Sequence, residues 1–158
     1  MKELEIKNIL PYLPYEVEVY FEGEEFPHEI VGLDMSSRPL HILSPWGQFG
    51  MSSLEGAKLV LRPLEDIFKE INHRGKIVTP HREISKILNG GKYSDSFNII
   101  EYNEYGSLRI NFGDHTTGYS INLETIPVLE KLYELHFDVR GLIDQGLACN
   151  INDFLYEG

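Results

Sequence analysis

Apolar and polar residues alternate along residues 15–22. Val17, Val19 and Phe21 share one side of an extended chain, and Glu16, Glu18, Tyr20 and Glu22 share the other. Successive side chains of a strand point to opposite faces, so this pattern predicts a half-buried strand with a solvated acidic face. Gly23 ends it. Upstream, residues 4–10 carry a short helical pattern stopped by Pro11 and Pro14, because proline lacks the N–H that a helix interior needs. Downstream, a turn over 23–27 leads to a second strand at 28–34, expected to pair antiparallel with the first, and residues 39–43 suggest a third. The stretch 44–57 contains Pro45, Gly47, Gly50 and Gly56 and reads as an irregular loop.

The period then changes. Residues 58–61 form a short apolar run, and Pro63 follows. Leu64, Ile67, Phe68 and Ile71 fall at i, i+3, i+4 and i+7, which predicts a helix with Pro63 in its first turn and Gly75 as its C-terminal cap. Residues 76–78 suggest a very short strand. Thr79-Pro80 opens a second helix with Ile84, Ile87 and Leu88 on its buried face, ended by Asn89-Gly90-Gly91. Residues 97–103, 107–112 and 117–122 read as a three-stranded meander, with Tyr105-Gly106 in the first turn and Gly113-Asp114-His115 in the second. Thr125 caps a final helix expected to reach about Phe137, with Ile126, Leu129, Leu132, Tyr133 and His136 on one side. A second helical stretch is expected over 139–145. Together these predict an α+β fold: a mainly antiparallel sheet with about three helices packed on one face, residues 1–158 forming a single domain. The βαβ alternation and the glycine fingerprint of a dinucleotide fold are missing.

Composition narrows the class. The chain has 158 residues, 42% hydrophobic and 25% charged, enough to bury a core without a disulfide or a structural metal. Its single cysteine, Cys149, excludes an internal disulfide and a multi-cysteine zinc site. No apolar run approaches the ~18–20 residues of a membrane span. Met1-Lys2-Glu3-Leu4-Glu5 lacks the pattern of a signal peptide. The expectation is a cytoplasmic protein with no membrane partner. Net charge is −11, unevenly spread: −7 over residues 1–35, +4 over 36–92 and −8 over 93–158. The basic middle either pairs with the acidic flanks or presents a face to an anionic partner. Its cations are dispersed, which favours the first reading and disfavours a nucleic-acid partner, since phosphate neutralisation needs clustered Lys and Arg.

Candidate chemistry is sparse. His28, His41, His73, His81, His115 and His136 include no i, i+3 or i, i+4 pair, and neither HExxH nor Cys-x-x-Cys occurs, so no metal or other cofactor is expected. His73 and His81 flank a short strand and are the one pair placed to approach each other. Cys149 follows Leu147-Ala148, and the anions Asp144 and Asp153 nearby oppose a thiolate, so it reads as a small hydrophobe. Gly90-Gly91-Lys92 resembles half a phosphate loop but ends a helix instead of opening one. Asp114-His115 is the best small polar constellation, with an Asx-type turn as its simpler reading. The segment 44–57 carries Trp46, Phe49 and Met51, which either fold back onto the core or form a contact surface for a partner.

Three segments together form a recognisable order. They are Leu10-Pro11-Tyr12-Leu13-Pro14-Tyr15, Leu61-Arg62-Pro63-Leu64-Glu65-Asp66-Ile67, and Leu135-His136-Phe137-Asp138-Val139-Arg140-Gly141-Leu142-Ile143-Asp144-Gln145-Gly146-Leu147-Ala148. This order resembles a family of small uncharacterised proteins from Bacteroidetes genomes and their phages or prophages. The resemblance spans about residues 10 to 152 and implies a mobile-element context. It assigns no catalytic or binding residue.

The resulting expectation is a non-enzymatic protein-binding or regulatory module, with Trp46, Phe49 and Met51 as candidate contacts. Two rivals stand beside it. One is a nucleic-acid binder using Arg62, Arg74, Lys76, Arg82, Lys86 and Lys92. The other is an enzyme with a dispersed site drawn from Asp114, His115 or His81.

Overall fold

The structure is a computed structural model, which describes residues 2–34, 36, 41–43, 51–88, 97–102, 108–112, 119–122 and 126–154. In chain order its helices are α1 (Ile6–Ile9), α2 (Pro80–Leu88) and α3 (Ile126–Glu134). Its strands are β1 (Glu18–Phe21), β2 (His28–Glu29), β3 (Gly32–Asp34), β4 (His41–Leu43), β5 (Met51–Ser53), β6 (Ala57–Leu61), β7 (Ile71–His73), β8 (Lys76–Val78), β9 (Phe97–Tyr102), β10 (Leu108–Phe112), β11 (Tyr119–Asn122) and β12 (Ala148–Asn150). All described pairings are antiparallel except β12 with β6. The fold class is α+β. The chain divides into two compact units, residues 1–62 with 142–158, and residues 63–141.

The first unit is built on a four-stranded sheet of order β12-β6-β1-β2. The alternation read at 17–21 is present, with Val17 and Val19 buried and Glu18 and Tyr20 partly exposed. The strand begins later than its pattern suggests. Residues Leu13–Tyr15 form a 3-10 turn around Pro14, and Glu16 is left-handed at φ 57°, which delays the extended chain to residue 18. Glu5 and Asn8 cap α1 reciprocally, with the Glu5 N–H donating to Asn8 Oδ1 at 2.9 Å.

Three expectations for this unit are corrected. The strand foreseen at 28–34 is two strands in different sheets: β2 pairs with β1, whereas β3 pairs with β4. The chain leaves the first sheet just after the Ile30 N–H donates to Val17 O at 2.8 Å. The segment 44–57 is not wholly irregular, since Met51–Ser53 is β5, antiparallel to β4. Finally, residues 142–146 form turns instead of a helix, and the chain then enters β12. The N–H groups of Leu147 and Ala148 both donate to Leu142 O, which closes these turns and aims the chain alongside β6. Ala148 lies opposite Leu59 in the parallel pair.

The second unit holds a buried cluster of Ile67, Ile71, Ile84, Val128, Leu132, Leu135, Phe137 and Val139. The helix expected to run from Pro63 to Gly75 is corrected here. Leu64–Phe68 is a short 3-10 helix, and residues 71–78 form the β7–β8 hairpin. Leu64, Ile67 and Ile71 still face the cluster, while Phe68 is exposed. The short β7 reaches Ile71 as readily as a helix would have. Arg74 and Gly75 both have positive φ, 54° and 82°, the conformation of a two-residue type I′ turn. The Gly75 N–H donates to Asn72 Oδ1 at 3.0 Å. Gly75 thus serves a hairpin and not a helix cap.

α2 starts at Pro80 as read, and packs against α3 and the 3-10 helix. The meander is present as β9-β10-β11, with a register shift between Arg109 and Ile110 that leaves Ile100 of β9 as an extra residue. α3 is three residues shorter than its pattern. The His136 N–H donates to Tyr133 O and the Phe137 N–H to Leu132 O, with His136 left-handed at φ 61°. This is a Schellman ending with histidine where glycine is usual. The buried face of α3 is set by Val128 and Leu132, with Leu129 and Tyr133 packed at its margin.

Candidate functional site

The three positions singled out as contacts are not brought into a site by the described structure. Trp46 and Phe49 lie outside the described residues, and Met51 lies in β5 opposite Leu43. Asp114, His115, Lys92 and the glycines at 90–91 also lie outside them. His81 is in α2, its ring 6.0 Å from that of Phe68. His73 packs edge-on against His136, ring centroids 4.9 Å apart. No group of three or more His, Cys, Asp or Glu side chains among the described residues is arranged to hold a metal ion.

Cys149 lies in β12 and is half-buried. Burial pushes its thiol above the ordinary value, Lys58 pulls it down and Asp153 pushes it up again. A thiol held protonated is a poor nucleophile.

The basic middle, in contrast, is partly gathered. Arg62 is buried and Arg74 sits in the β7–β8 turn, but Lys76, Arg82 and Lys86 line one cleft of about 330 Å³ in the second unit. β8 supplies Lys76, Ile77 and Val78, followed by Thr79. The cleft face of α2 supplies Arg82, Glu83 and Lys86, and α3 supplies Lys131 and Glu134. His73 and Leu135 complete the wall.

Helical spacing explains the α2 contribution. Arg82 and Lys86 are four apart and Glu83 and Lys86 three apart, so they share a face, and Ile84 and Ile87 turn toward the core. Lys86 Nζ lies 3.3 Å from Glu83, and Lys131 Nζ lies 2.9 Å from Glu134. Among the described residues Lys76 has no ion-pair partner. Four cationic side chains against two carboxylates invert the sign of the whole chain locally. The cleft can hold an anionic group against an apolar margin of Ile77, Val78 and Leu135.

Sequence reading pointed to Lys76, Arg82 and Lys86 as part of a dispersed set, and missed Lys131, whose contribution depends on α3 packing against α2. Comparison of the chain with protein-family models, with curated proteins and with solved structures finds no match. No helix among the described residues is long and apolar enough to cross a membrane.

Proposed function

We propose that this protein is a non-enzymatic binding or regulatory module whose partner is another protein, and that the cleft of the second unit is a working surface. The observation that carries this reading is the convergence of Lys76, Arg82, Lys86 and Lys131 from three elements around an exposed apolar edge, on a chain whose net charge is −11. Such a local inversion favours an acidic partner by steering and by rejecting basic ones. Trp46, Phe49 and Met51 are the second contact group proposed for the same role. A phage or prophage origin belongs to this reading and is supported by the sequence resemblance alone, and a cytoplasmic setting is proposed with it on the lack of a long apolar run in the sequence.

Nucleic acid is the rival favoured by Lys76, Arg82 and Lys86. Glu83 and Glu134 leave four cations against two anions in this wall, a small excess for a nucleic acid that needs many phosphates neutralised but enough for a short acidic segment, so protein is preferred. The test is affinity capture with the full chain and with a Lys76→Glu/Arg82→Glu variant at fixed salt, quantified by mass spectrometry. A protein set lost in the variant is the expected result. Identical sets, or recovery of nucleic acid alone, would overturn the reading of the cleft. A parallel Trp46→Ser/Phe49→Ser/Met51→Ser variant that captures normally would remove that segment.

A further inference from the structure

The β8 residues along the cleft are consecutive: Lys76, Ile77 and Val78, then Thr79. Alternation would let a cleft over one face of a strand touch only every second residue. A run of consecutive residues fits a cleft that reaches the outer edge of β8 as well as the hairpin face that His73 of β7 shares with Lys76. The pairing register agrees. The two-residue turn makes His73 and Lys76 the closing pair, and the next pair, Asn72 with Ile77, is then the non-hydrogen-bonded one. The N–H and C=O of Ile77 therefore point away from β7. β7 and β8 form a two-stranded sheet, and among the described residues no strand takes up that edge. Ile77 is also the most exposed large apolar side chain among them, at 63%. An open edge with an exposed β-branched residue is a template for another strand.

We propose that an extended acidic peptide segment of the partner adds to β8 as a third strand, its backbone bonding to Ile77 and its carboxylates meeting Lys76 and the α2 cations. This rests on the cleft being the partner surface and adds to it the mode and the chemical class of the ligand. Backbone bonding supplies affinity that tolerates sequence, and the charged wall selects acidic over basic segments. Lys76 lies on the edge strand itself, and among the described residues a neighbouring carboxylate displaces no ion pair to reach it.

The experiment uses the full chain and fluorescence anisotropy at low salt. The probes are a labelled octapeptide alternating Asp with Val, its Lys–Val counterpart, the Asp–Val peptide N-methylated at alternate amides, and a single-stranded DNA octamer. The Asp–Val peptide is expected to bind at least about tenfold more tightly than the Lys–Val peptide and the octamer. N-methylation blocks the backbone donors and is expected to weaken binding by about tenfold or more. Ile77→Pro removes an outward N–H, which edge strands tolerate, together with the exposed apolar side chain, and is expected to do the same. If Ile77→Pro fails to fold by circular dichroism, the N-methylated probe decides alone. Binding that is lost in Lys76→Glu yet indifferent to N-methylation would overturn strand addition and leave the cleft as a partner surface. No binding of the Asp–Val peptide overturns the ligand class, and the capture experiment then judges the cleft separately. Tighter binding of the DNA octamer would overturn both.

Discussion

Glu18 sits directly opposite Glu29 across the β1–β2 pair. Burial raises its carboxyl above the ordinary 4.5, the charge of Glu29 raises it further and His28 pulls it back. The folded state then holds the Glu18 proton more tightly than the unfolded chain does. Stability falls as pH climbs from the ordinary value through the raised one, and the penalty is complete above it. Glu18→Gln is expected to raise unfolding free energy at pH 7 by about 0.2–1 kcal/mol, the range for relieving like charges directly opposed on two strands. The gain should vanish below the ordinary carboxylate value. Urea titrations at pH 7 and at pH 4 measure both, and a loss of stability at pH 7 would contradict the assignment. Cys149 offers a second residue-scale test. With burial holding its thiol up, alkylation by iodoacetamide at pH 8 should run slower than that of free glutathione. The burial of Val17 and Val19 beside partly exposed Glu18 was legible because period-two alternation reports a strand's own two faces. The pairing of Glu18 with Glu29 was not, because it depends on a register fixed by the turn between them.

Hairpins and helix ends are where local pattern and actual element part company. The stripe of Leu64, Ile67, Phe68 and Ile71 fits a helix, yet a 3-10 helix followed by a strand buries Leu64, Ile67 and Ile71 against the same cluster. Four positions cannot distinguish the two paths. Gly75 is compatible with a helix cap and with a type I′ turn, since both need positive φ; Asn72 bonding to it marks the turn. Gly75→Ala should cost about 1–2 kcal/mol, because a Cβ there meets open space and the loss is purely conformational. Arg74→Asn should gain about 0.5–1 kcal/mol, since asparagine accepts the left-handed region that Arg74 occupies at φ 54°. Thermal melts of the two variants should move in opposite directions. The meander was legible because its three strands alternate and follow one another in sequence. β12 was hidden, since three residues give no period and its partner β6 lies far upstream.

At the scale of the whole molecule, charge is the dominant property. A net −11 on 158 residues repels itself, and raising salt from about 10 to 300 mM shortens the screening length to a few ångströms. Melting temperature should rise by about 2–4 °C per kcal/mol of repulsion relieved. A fall would mean that ion pairs such as Lys131–Glu134 outweigh the repulsion. Composition made the net charge legible, and segment counting located the basic middle, but the cleft needed α3 beside α2 to exist. The order of the chain has one further effect. The first unit is discontinuous: its parallel strand β12 joins β6 only after the 63–141 segment has intervened, a closure of about 90 residues. During synthesis, residues 63–141 leave the ribosome with their whole unit in hand, while the earlier-made β6 waits with one side unoccupied until residues 148–150 have emerged. A message cut short anywhere after residue 141 and before 148 would release a polypeptide with an assembled insert and an incomplete host sheet. Quality-control proteases should find the vulnerable backbone in residues made first.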